Sequence, residues 1–124
     1  MGESVGAVQV RAGLGVAIRR LSRAYHDEEA GAVRQLAGAE AGRFPDLAAS
    51  VRERTILRIR SALADRLARL ALAGRLRPCD PELAAEHLLA LLTGPLEYRP
   101  DADPAAIADA AVEVFLRAYG SDRA

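Results

Sequence analysis

Glu40-Ala41-Gly42-Arg43-Phe44-Pro45-Asp46-Leu47 closes one helical pattern and opens another that runs to Gly74. Pro45 lacks a backbone N–H and has a fixed φ, so it suits a first helical turn and disrupts an interior. Gly42 weakens the helix before it and permits a sharp change of direction. Past the joint, Ile56, Ile59, Leu63, Leu67 and Leu70 step by three and four, while Arg58, Arg60, Asp65, Arg66 and Arg69 fall mostly elsewhere. That spacing predicts an amphipathic helix over 46–73. Gly74 supplies its left-handed cap, and Pro78 prevents resumption.

Upstream, Val10, Leu14, Ala17, Leu21 and Ala24 alternate steps of four and three, which predicts a helix over 4–25 with Arg11, Arg19 and Arg23 off its apolar stripe. Gly13 and Gly15 each cost this helix about 1 kcal/mol relative to Ala. A second, weaker helix is expected over 28–41, with Val33, Leu36 and Ala37 inward and Gly31 and Gly38 loosening it. Downstream, Asp80-Pro81 and Asp103-Pro104 repeat one start signal, an Asp able to cap free N–H groups followed by Pro at the first helical position. Helices are therefore expected over 81–97 and 104–119. No two-residue alternation or Asn-Gly turn argues for a hairpin.

The chain has 124 residues, enough for one domain with a single core. Its 27 Ala against two Phe, three Tyr and no Trp favour close-packed helices. All 17 basic residues are Arg and balance 17 acids to zero, which gives no electrostatic footprint for nucleic acid. The single Cys79 makes no internal disulfide, and no segment reaches the ~20 apolar residues of a membrane span. The N-terminus lacks the charged start and apolar run of a signal peptide, so a cytoplasmic location is expected.

These signals add up to an all-α antiparallel bundle of about five helices in one domain over 1–124. The last two helices are apolar on more than one face. Leu88, Leu89, Leu91, Leu92 and Leu96 nearly surround one, and Ile107, Val112, Val114, Phe115 and Leu116 occupy two faces of the other. A helix of that kind is buried on more than one side, and in so small a domain a second copy supplies the further side. The expected homodimer interface is Leu88, Leu92, Leu96, Val112, Phe115, Leu116 and Tyr119. The competing arrangement is a central helix wrapped by the other four.

The joint at 40–47 resembles one in the C-terminal, ligand-sensing and dimerising domain of TetR-family transcriptional repressors, where a short helix ends in an acidic residue followed by Arg-Phe-Pro, an acidic residue and Leu. Ala73-Gly74-Arg75-Leu76-Arg77-Pro78 followed by Asp80-Pro81-Glu82-Leu83-Ala84-Ala85-Glu86 is similar to the family's turn into its penultimate helix, and Val112, Phe115 and Leu116 lie where its last helix would be. The resemblance covers Glu40 to Tyr119. It implies a small lipophilic effector enclosed by the first four helices, dimerisation through the last two, and control of DNA through an N-terminal helix-turn-helix. Nothing before Ser4 could form that head, so DNA enters only through a missing N-terminal domain, and the chain reads as either a fragment or a remnant.

The remaining constellations argue against chemistry. Gly13-Leu14-Gly15 lacks the third glycine and the strands of a dinucleotide turn. His26 beside Asp27, Glu28 and Glu29 reads as a solvated helix start. Two His and one distant Cys make no metal centre, the scattered Ser residues make no triad, and no cofactor or enzymatic activity is expected. His87 is different, because an imidazole among Leu88, Leu91 and Leu92 needs a partner when buried. The effector pocket is expected between the helices of 4–25, 46–73 and 81–97, lined by Val16, Ile59, Leu63 and His87. The rival reading is a freestanding helical homodimer acting as an interaction module or small-molecule carrier.

Overall fold

A computed structural model describes residues 5–38, 45–99 and 101–121, with side chains described outside 28–38 and 45–52. Four helices follow one another: α1 (Val5–Gly38), α2 (Pro45–Leu72), α3 (Pro81–Tyr98) and α4 (Pro104–Tyr119). The expected pair over 4–25 and 28–41 is one helix, so the bundle has four members rather than about five. The physical reason lies in His26-Asp27-Glu28-Glu29, which contains neither Pro nor Gly, so nothing stops an α-helix running through it. Residues 39–44, and with them the turn expected at Gly42, lie outside the described residues. Pro45 is the first residue of α2, where its missing N–H would have had no partner in any case.

The other boundaries follow local chemistry. Gly74 has φ +75°, its N–H donates to the Ala71 carbonyl at 3.0 Å, and the Arg75 N–H donates to the Leu70 carbonyl at 2.9 Å. That is a left-handed glycine cap, which satisfies the last carbonyls of α2. Asp80 caps α3 by accepting from the Glu82 N–H at 3.0 Å, and Asp103 caps α4 by accepting from Ala105 at 3.1 Å. Leu76 and Gly120 form one antiparallel bridge, with the Arg77 N–H donating to the Tyr119 carbonyl at 2.8 Å. It ties the α2–α3 connection to the end of α4.

α1 packs along α4, α2 along α3, and α3 beside α4. Ala84, Ala85, Ala108 and Ala111 are buried at these crossings, which lets the backbones approach closely around Leu14, Ile18, Leu67, Leu88 and Phe115. Pairs across the α1–α4 seam hold its rim: Arg19 grips Asp109 through Nε at 2.7 Å and Nη2 at 3.0 Å, and Arg11 donates to Glu113. Such half-exposed bridges fix register more than they stabilise.

The buried stripe of α1 is Val10, Leu14, Ile18, Ser22 and Tyr25, one position round from the expected Ala17, Leu21 and Ala24. Ile18 and Tyr25 bury far more apolar area than Ala17 and Ala24, so size decides the face. The dimer expectation also changes. Leu88, Leu92, Leu96, Val112 and Phe115 are all buried within one chain, and Leu116 and Tyr119 are half-buried against the same core. Multi-sided apolarity of α3 and α4 is met largely by α1 and α2. Among the described residues, no helix is long and apolar enough to cross a membrane.

Candidate functional site

The expected site lies between α1, α2 and α3, and an apolar crevice opens there. Leu21, Ser22 and Tyr25 of α1 face Ile56 and Ile59 of α2 and Leu89, Leu92, Thr93 and Leu96 of α3. The crevice is shallow: about 20 Å³ of it takes a water-sized group, room for about one water, and the figure of about 350 Å³ includes the open solvent at its mouth. None of the described residues that wall it carries a charge.

Three hydroxyl-bearing residues stand along the wall, whose surface is nearly all apolar. Ser22 is fully buried, and its Oγ–H donates to the Pro104 carbonyl at 2.9 Å, joining α1 to the first turn of α4. Tyr25 donates to Glu97 Oε1 at 3.1 Å, joining α1 to the last turn of α3. Thr93 precedes Gly94-Pro95, and Pro95 stands inside α3 with no N–H to give the Leu91 carbonyl. The segment carrying Leu96 and Glu97 therefore hangs on one helical hydrogen bond fewer, and it forms one side of the crevice.

Of the four expected lining residues, only Ile59 is there. Leu63 is 3 % exposed and belongs to the core. Val16 is exposed on the opposite side of α1, in an open cleft of about 870 Å³ with its mouth, shared with Val8, Gly15, Val112 and the Arg19–Asp109 and Arg11–Glu113 pairs. His87 is exposed on α3, its Nδ1 2.5 Å from the Tyr119 hydroxyl, and Tyr119 stacks on Phe115 at 4.7 Å. Its partner is thus a tyrosine on the α3–α4 side. Ser22, Tyr25 and Thr93 went unmarked in the sequence. The one available signal was Ser22 in register with Val10, Leu14, Ile18 and Tyr25, since a serine in a buried stripe requires a hydrogen-bond partner.

Cys79, half-buried in the α2–α3 connection, has its thiol pKa pushed up by burial and by the neighbouring Asp80. The shift disfavours the thiolate, which is the reactive form of a cysteine, where a redox sensor would favour it.

An all-α chain with a glycine-capped turn into its penultimate helix, a packed α3–α4 pair and an apolar crevice beside it has the architecture of the C-terminal domains of TetR-family regulators. Residues 12–121 match the model of the AefR-like transcriptional repressor C-terminal domain. The chain belongs to that family. A TetR-family transcriptional regulator from Mesorhizobium loti MAFF303099 has a similar solved structure, 32 % identical with a TM-score of 0.66. The similarity covers 89 % of this chain and 59 % of that one, so the chain spans little more than half the length of its relative. No curated protein matches it.

Proposed function

We propose that this chain is the effector-sensing and dimerisation domain of a TetR-like repressor, without catalytic activity and located in the cytoplasm, with a small lipophilic ligand taken up between α1, α2 and α3. The observation that carries the reading is the crevice, apolar on three helices and closed on one side by the Pro95-interrupted end of α3. Ligand sites are concave, mostly apolar and supplied with a few polar groups. Ligand entry parts α1 from α3 and α2, and α1 then transmits the displacement toward a DNA-reading head in the whole protein.

Thermal denaturation with a panel of lipophilic compounds tests this. A ligand at a hundredfold excess over its Kd adds about 2.7 kcal/mol to stability, a rise of several degrees in Tm. Ile59→Trp should fill the crevice and remove the rise while the chain stays folded. A panel that moves Tm in neither protein counts against the sensor.

The dimer belongs on the outward faces of α3 and α4. Ala106, Ala110, Val114 and Ala118 recur every four residues on α4 and are all exposed, and Leu83, His87 and Ala90 are exposed on α3. Small side chains at that spacing let a second pair of helices come close, giving a four-helix interface about a two-fold axis.

A further inference from the structure

The crevice has room for about one water, so a larger compound enters only if a wall moves. Several of the described walls are tied together. Ser22 joins α1 to α4, Arg66 of α2 donates to the Gly13 carbonyl of α1 at 3.2 Å, and Arg60 of α2 donates to Glu86 of α3 at 3.2 Å. These links hold the spacing of the helices.

The last turn of α3 is held less. Pro95 has no N–H for the Leu91 carbonyl, so the turn is joined to the rest of its helix by one hydrogen bond fewer. Gly94 adds a weak helix former at the same point, and a Cβ there would meet nothing within 4 Å, so no neighbour requires a glycine. On its inner side the turn makes two contacts. Leu96, 8 % exposed, fills part of the crevice wall, and Glu97 accepts from the Tyr25 hydroxyl at 3.1 Å. Tyr98 is 85 % exposed and anchors nothing.

We propose, on the reading of the crevice as the effector site, that residues 95–98 are its gate: the turn swings outward at Gly94-Pro95 and withdraws Leu96, and the Tyr25–Glu97 hydrogen bond is the latch that holds it shut. Opening uncovers apolar surface around Leu96, and the apolar body of a ligand covers it again. The latch also places the signal on α1, because Tyr25 belongs to that helix and loses its α3 partner when the gate moves.

Amide hydrogen exchange of the full chain without ligand reads the gate. Swinging at Gly94-Pro95 breaks the bonds that the N–H groups of Leu96, Glu97 and Tyr98 give to carbonyls four residues back. It spares the Arg99 N–H on the Pro95 carbonyl at 2.8 Å, since both ends move together. The account predicts one common exchange rate for residues 96–98, with Arg99 no faster; fraying from the helix end would release Arg99 first. Tyr25→Phe removes the latch and keeps the ring, and should speed exchange at 96–98 about tenfold. Gly94→Ala stiffens the hinge without a clash and should slow it about fivefold. Association of 4-ethylphenol, followed by NMR line shape, should change in the same directions, because the open fraction sets the apparent rate. Graded rates with Arg99 fastest, rates unmoved by Tyr25→Phe, or equal association with all three proteins would each overturn the gate while leaving the sensor reading intact. If neither 4-ethylphenol nor 1-octanol binds, the sensor reading itself falls and the gate with it.

Discussion

Phe115 is the largest of the fully buried side chains, and it is held by Tyr119 stacked on its ring. Phe115→Ala leaves a cavity between α4 and the rest of the bundle and should cost about 3–5 kcal/mol, read as a lower urea midpoint. A change under about 1 kcal/mol would show that the core is not packed as described. Cys79 supplies a second residue-scale prediction. Because burial and Asp80 raise its thiol pKa, the thiolate forms only at higher pH than in a free thiol, and alkylation by iodoacetamide at pH 8 should run slower than for a cysteine peptide. Equal rates would contradict the buried setting. At this scale the sequence was legible where size and polarity agreed, as at Leu14 and Leu67. It misled where they competed: Ile18 and Tyr25 outweighed Ala17 and Ala24, and a polar Ser22 took a core position because Pro104 offered it a carbonyl.

Among the elements, caps carry the clearest information. Asp-Pro pairs at 80–81 and 103–104 start α3 and α4 where the sequence places them, since side-chain capping and the fixed proline φ act within one turn and need no tertiary context. Asp103→Ala should cost about 1 kcal/mol through loss of the bond to the Ala105 N–H. Gly74→Ala should cost about 1–2 kcal/mol, because φ +75° is strained for a residue with a Cβ; the open space around Gly74 leaves no clash to add. Both are read from thermal unfolding, and a neutral Gly74→Ala would contradict the left-handed cap. Interruption was harder to read than initiation. The acidic run after His26 looked like a new helix start, yet a start signal without a stop before it leaves the helix continuous, and α1 passes straight through.

On the scale of the molecule, the two apolar helices of the C-terminal half serve the chain's own core and, on the proposed reading, a second copy. Periodicity alone cannot divide them, which is why Leu92 and Phe115 read as interface and lie inside. The division gives opposed predictions for two arginine substitutions. Leu92→Arg, at a position 2 % exposed, should unfold the chain; Val114→Arg, at 52 %, should leave it folded and convert a dimer to a monomer in sedimentation equilibrium. A folded, dimeric Val114→Arg would remove this face from the interface. The central claim, an effector site between α1, α2 and α3, is tested most directly by methyl NMR of the full chain titrated with 4-ethylphenol or 1-octanol. The account predicts saturable shifts concentrated on the methyls of Ile56, Ile59, Leu89 and Leu92, with Val8, Val16 and Val112 in the α1–α4 cleft unmoved; shifts confined to the cleft valines, or none at any methyl, would contradict it.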